Sequence, residues 1–306
     1  MSWFCVSIAL VFVACSRYES SIIDLVPSDS CAVVVVDWPT LRKDSDLRRL
    51  FKGDQFEVVL ERLGVDSSSV RTLVVFSAMN SRAKAGLLLR GSFDRQKQIA
   101  SLKARGWQDE SVDGHKVYVN GNDYAAIPQS DIFFAGTREA ATAVFNTLND
   151  TRESFSSSSS YKKISAGLTS KNEPIKAFLV IPQGSLDMAD AALEATSVAL
   201  SLFDLGGVGA LLKQMNIASG FGLSLGRGSN QMYPVEMCVL MRDERAAALV
   251  SGSLNLLKGF STAASNSNGD EQARQALHNM SITRVREVLS IRMTVPQAVL
   301  MPPSAR

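Results

Sequence analysis

Histidine is nearly missing from this chain: His115 and His278 are the only two in 306 residues. A histidine-dependent mechanism therefore has two candidates, and neither has an evident partner to position it as a base. His115 directly follows a tight-turn dipeptide and is expected on an exposed strand position. His278 falls off the apolar stripe of Ala273, Ala276, Leu277 and Met280, which reads as a solvated helix position. HExxH is absent, and so are CxxC and any Cys/His cluster. These absences remove the usual signatures of zinc proteases and structural zinc. Charge of one sign is missing as well: the net charge is +2, with no run of five or more like charges. No electrostatic footprint for nucleic acid follows from that.

The bulk composition is ordinary, with 46% apolar and 20% charged residues, and the length allows one large or two ordinary domains. The N-terminus departs from this. From Trp3 to Ala14 the chain is apolar or small and uncharged. About a dozen residues make a helix of roughly 18 Å, short of the ~30 Å hydrocarbon core of a bilayer. The length suits the apolar region of a signal peptide.

The run ends in Phe12-Val13-Ala14-Cys15-Ser16, which resembles the lipobox of bacterial lipoproteins. That resemblance implies removal of residues 1–14 and lipidation of Cys15, with acylation of the new amino group. Several acyl chains make such attachment durable where one does not. The expected location is the bacterial cell envelope, lipid-anchored and facing the periplasm. A secreted protein, an uncleaved anchor and a buried first helix remain as alternatives.

Export leaves Cys31 and Cys238 in the mature chain. Both stand in apolar runs, "CAVVVVD" and "VEMCVLM", where a buried free thiol is the usual finding. A disulfide between them is the lesser reading.

The body reads as two similar halves. Val33–Val36 is a compact β-branched run, expected as a buried strand. Helical spacing follows at Leu41, Leu47, Leu50 and Phe51, then at Phe56, Val59, Leu60 and Leu63, closed by Gly64. Two strands, "VRTLVVFSAM" and "AGLLLRGSF", precede a surface helix that starts near Asp94 and ends at Gly106. In the second half "IKAFLVIP" is a strand, followed by a helical region from Ser185 to about Met215. Two strands come next, then a helix with Ala246, Leu249, Val250, Leu254 and Leu257 on one face. A short helix and a final strand, "VREVLSIRMTVP", complete the half.

Strand, helix, strand, strand, helix, strand in both halves predicts an α+β fold of two ferredoxin-like (βαββαβ) repeats with antiparallel sheets. The first half carries an added β-meander, marked by Asp113-Gly114 and Asn120-Gly121, and a helix capped by Thr137. The expected organisation is a signal peptide at 1–14 and a first half at 15–150. A flexible Ser-rich linker or loop at 151–163 and a second half at 164–306 follow.

Three stretches, "VPSDSCAVVVVDWPTL", "GSFDRQKQIASLKARGW" and "GHKVYV" before "DIFFAGTREAA", together resemble exported bacterial lipoprotein-like proteins with duplicated α+β halves. The resemblance implies an envelope location and no particular activity.

Few residues suggest chemistry. The glycine-rich "GFGLSLGRG" lacks GK[ST], and Leu225 stands where GxGxxG needs its last glycine. It reads as a strand whose glycines admit a neighbouring helix closely. Asp37 ends an apolar strand, where carboxylates can meet ligands, although Pro39 and Thr40 just beyond favour helix capping. Asp187, Asp190 and Glu194 share one helical face, a cation site or an exposed polar face. No catalytic, metal or cofactor-binding residue is assigned and no cofactor is expected. The functional expectation is an anchored, non-enzymatic protein that binds a protein partner or a small ligand and contacts the membrane through its lipid. The alternative is a hydrolase-like or vestigial enzyme with carboxylates in a cleft between the halves.

Overall fold

The valine run forms β1 (Ser30–Asp37), a strand buried along nearly its whole length. A continuous apolar run, rather than an alternating one, is what a strand covered on both faces requires. In the computed structural model, which describes residues 22–50, 53–78, 81–170, 173–181, 218–230, 232–263 and 279–297, β1 lies near the middle of one twelve-stranded sheet.

After β1 come three short helices, α1 (Trp38–Lys43), α2 (Ser45–Leu50) and α3 (Gly53–Arg62), then β2 (Val70–Ala78) and β3 (Ser81–Gly91). Helix α4 (Arg95–Ala104) leads into a meander of β4 (Gln108–Val112), β5 (His115–Asn120), β6 (Asp123–Gln129) and β7 (Ile132–Gly136). Helices α5 (Arg138–Leu148) and α6 (Ser159–Gly167) precede β8 (Ile175–Val180), β9 (Ala218–Leu225) and β10 (Met232–Met241). The long helix α7 (Glu244–Ala263) and the hairpin β11 (Ser281–Val285)–β12 (Val288–Pro296) end the described chain.

The sheet order is β11-β12-β10-β9-β8-β1-β2-β3-β7-β6-β5-β4, and every neighbouring pair is antiparallel. The α+β class with antiparallel strands is thus observed, but the ferredoxin-like strand order is not. A split βαβ unit places another strand between the two that flank its helix. Here β1 pairs directly with β2, with Val34 opposite Val75. Its other edge is taken by β8 of the second half, with Val34 opposite Ala177. Both slots beside β1 are therefore filled, and no strand of the first half can intervene.

Helices cover both faces. On one face Val34, Val36, Leu73, Leu89 and Phe133 pack against Trp38, Leu41, Leu47, Leu60 and Leu102 of α1–α4. That face continues across the second half through Leu179, Phe221, Val239 and Leu289, which meet Ala247 of α7. On the other face Val33, Val74, Phe76, Leu88 and Phe134 meet Val144 and Phe145 of α5 and Ile164 of α6. A 3-10 turn, Ile22–Leu25, completes that layer.

Local signals place the elements. Asp94 caps α4 by accepting from the amides of Gln96 and Lys97, each at 3.1 Å. Thr137 caps α5 through the Ala140 amide at 3.3 Å. Asp113 and Gly114 both carry positive φ, 51° and 80°, as a two-residue I′ turn needs. The second hairpin turns one residue later than expected. Asn120 pairs with Asp123, so Gly121, at φ 62°, is the first central residue. The final segment is also a hairpin rather than a single strand, because it reverses at Arg286 (φ 53°) and Glu287.

The serine-rich stretch is ordered, contrary to the expectation of a flexible linker. Phe155 is buried, and the Ser158 hydroxyl oxygen accepts the Tyr161 amide to cap α6. The Tyr161 ring lies 5.3 Å from that of Phe155 and 5.0 Å from that of Phe178. Three apolar anchors, Phe155, Tyr161 and Ile164, offset the ordering cost that serines alone could not.

Candidate ligand cavity

Helix α6 lies unusually close to the sheet. A Cβ on Gly222 would stand 2.4 Å from Ile164 Cγ2, and one on Gly167 would stand 2.4 Å from Cys238 Sγ. Gly220 and Gly222 of "GFGLSLGRG" therefore admit a helix, as the sequence predicts.

This packing sets the start of α6 over the ends of β8, β9 and β10. There the first turns of α6 and α7 border a half-open cavity of about 680 Å³. Its apolar wall is Val180, Ile181, Leu240 and Met241; its polar wall includes Ser159, Ser160, Lys163, Ser219, Arg242, Asp243, Glu244 and Glu287. Four of these eight side chains are already engaged. Lys163 pairs with Glu287 at 2.9 Å and, chiefly through that hydrogen bond, holds the Glu287 carboxyl below the usual range. The Asp243 carboxylate accepts the Ala246 amide at 2.7 Å and caps α7. Ser219 donates to the Leu240 carbonyl at 3.2 Å. Among the described residues, the Arg242 guanidinium and the Glu244 carboxylate have no hydrogen bond or ion pair. An uncommitted cation and an uncommitted anion, two residues apart in the chain, thus edge one polar cavity.

A second polar centre lies inside the same half. Glu236 is 3% exposed, and its carboxylate accepts from Arg292 Nε at 2.6 Å, Thr169 Oγ1 at 2.9 Å and the Ser170 amide at 3.0 Å. Burial opposes its ionisation, but those donors prevail and hold the carboxyl at about 2. Lys176, Ser224, Glu236 and Arg292 are successive cross-strand partners. Burial pulls the Lys176 amine down, against the attraction of Glu173 and Glu236. The Ser224 hydroxyl, buried in this row, has no hydrogen-bond partner among the described residues. The centre fastens the loop after α6 to the sheet. Sequence reading passed over it, although one lone charge of each sign, Glu236 in "VEMCVLM" and Arg292 in "LSIRMTV", interrupts an apolar strand.

Among the described residues, those singled out in the sequence do not converge. Cys15, His278, Asp187, Asp190 and Glu194 lie outside the described residues. Asp37 caps α1, accepting from the Thr40 amide at 3.2 Å and its hydroxyl at 3.0 Å. His115 is half-buried rather than exposed: its ring stacks on Phe145 at 4.2 Å between centroids, with Asn149 at 3.0 Å from Nε2. Cys31 and Cys238 are buried free thiols, raised by burial to about 11 and about 12 respectively. No cluster of His, Cys, Asp and Glu able to hold a metal occurs among the described residues. Nor does any described helix have the length and apolarity to cross a membrane.

No family model matches the chain, and no curated protein matches it. Solved structures do. Crystal form III of TP0453 superposes with a TM-score of 0.50 at 11% identity, covering 92% of this chain and 96% of that one. Crystal form IV gives the same TM-score and identity, covering 92% and 95%. At that identity the likeness is one of fold alone: the α+β architecture around a large antiparallel sheet is shared with TP0453.

Proposed function

We propose that this chain is an envelope-anchored, non-enzymatic binding protein, tethered through a lipidated Cys15. In this reading it takes a small polar ligand, or a polar segment of a protein partner, into the cavity between α6 and α7. The supporting observation is the pair of uncommitted charged groups at the cavity, Arg242 and Glu244, beside three charged neighbours, Lys163, Asp243 and Glu287, that are engaged. A group carrying both charge signs would complement that pair. The enzyme alternative needs two carboxylates free to act together. Of the three at the cavity, Asp243 caps a helix and Glu287 is held by Lys163, which leaves Glu244.

The halves themselves read as repeats. Outward from the β1–β8 junction the orders are β1-β2-β3-β7-β6 and β8-β9-β10-β12-β11, with α4 following β3 and α7 following β10. This mirrored order supports the duplication implied by the lipoprotein-like resemblance, in an antiparallel form that differs from the ferredoxin-like one.

The test is retention of a ligand or partner by the membrane-derived protein after mild crosslinking, with Arg242→Ala alongside. Loss of one charged hydrogen bond predicts roughly tenfold weaker retention by the variant. Equal retention by both proteins, or none by either, removes the cavity from the reading. Anchoring is tested separately: Cys15→Ser is expected to move the protein from the membrane pellet to the soluble fraction. An intact Met1 in the mass spectrum would falsify the lipid anchor.

A further inference from the structure

We infer that the end of the sheet carrying the cavity faces the bilayer, an orientation that rests on lipidation of Cys15. The strand register supplies the first half of the argument. Ser30 opens β1 and pairs with Ala78, while Ala32 pairs with Leu179. Leu179 pairs with Phe221 and Val180 with Gly220, and Gly220 pairs with Leu240. The start of β1 and the cavity-forming ends of β8, β9 and β10 therefore lie at the same end of the sheet. Neighbouring strands are ~4.8 Å apart, so β8, β9 and β10 stand roughly 5, 10 and 15 Å from β1.

The N-terminal approach to β1 is fixed at that end. Ile22 is 4% exposed. The Val26 carbonyl accepts the Phe155 amide at 2.7 Å, and the Ser28 amide donates to the Glu153 carbonyl at 3.1 Å. Asp29 is clamped by Arg152 at 2.7 Å and Lys84 at 3.0 Å. The same segment then runs through Ser158 into α6, whose Ser159 and Ser160 line the cavity.

The tether supplies the second half. Only residues 16–21 separate Cys15 from Ile22. Seven residue steps span at most roughly 25 Å. An eight-residue strand such as β1 is roughly 26 Å long, so an inverted body would need the tether drawn out along its full height. The cavity end is therefore the membrane-proximal end. An occupant of the cavity is a group presented at the lipid surface or released within a tether's length of it.

The experiment uses the full lipidated chain in phosphatidylcholine vesicles that contain a headgroup-nitroxide lipid. A fluorophore is placed at Arg242→Cys, at the cavity end, or at Arg95→Cys, beyond the far end of β3. Cys31 and Cys238 are buried and stay unlabelled. With roughly 25 Å between the ends, quenching at position 242 is expected to exceed that at position 95 about twofold or more. A linker of about 20 Gly and Ser residues inserted after Ser21 should abolish the difference. Equal or reversed quenching, with the lipidated N-terminal peptide found by mass spectrometry, overturns the orientation alone. An unmodified N-terminus overturns both the orientation and the anchor.

Discussion

Replacing Glu236 by Gln keeps the shape of the side chain and removes the charge that Arg292, Thr169 and Ser170 surround. The carboxyl falls from 4.5 to about 2 on folding, a change worth about 3 kcal/mol of stability at neutral pH. Glu236 is 3% exposed, so solvent screens it little, although the half-exposed Arg292 trims the figure toward its lower side. The sign follows from the depressed folded-state value. The contribution is complete above the unfolded value of 4.5 and disappears as pH falls through about 2. Urea unfolding of both proteins at a series of pH values measures it. Other carboxylates titrate in both chains and cancel in the difference. The variant should be about 2–3 kcal/mol less stable at pH 7, with the gap closing by pH 2. A gap that is negligible at pH 7, or constant across the series, refutes the reasoning.

Gly222→Ala would drive a methyl into Ile164 of α6. It should cost about 1–3 kcal/mol by overpacking, read as a lower urea midpoint with unchanged slope; an unchanged midpoint means α6 is not seated as described. Cys31 and Cys238 should resist a thiol reagent at pH 8 in the native protein and react on unfolding, because burial raises both; prompt native reaction would contradict that burial. His115→Ala removes the stack on Phe145 and should cost about 1 kcal/mol, measured by thermal unfolding, where no change would show the stack to be incidental.

What the sequence revealed was local. The valine run of β1, the Asp94 and Thr137 caps, the Asp113-Gly114 turn and the close-packing glycines of β9 each depend on a few neighbouring residues, and each is found in place. Strand pairing depends on partners far along the chain. Nothing near Val34 indicates that Ala177 will lie against it, and the ferredoxin-like order failed there. The serines before α6 read as flexible because their anchors, Phe155, Tyr161 and Ile164, find their partners only in three dimensions. The cavity was illegible for the same reason: it collects residues from α6, β8–β10, the start of α7 and the β11–β12 turn. Glu236 left a trace, a single carboxylate in an apolar strand, whose meaning depended on Arg292 opposite.

The junction of the halves carries a mechanical consequence. Five residues of β1 pair with β8, so backbone hydrogen bonds run unbroken from one rim of the sheet to the other. Such a plate has no seam, and a clamshell movement would tear a buried ladder whose bonds contribute about 1 kcal/mol each. In the proposed binding role, fitting around a guest would instead fall to small parts, the head of α6 and the Arg242–Glu244 corner, moving over a floor that stays rigid.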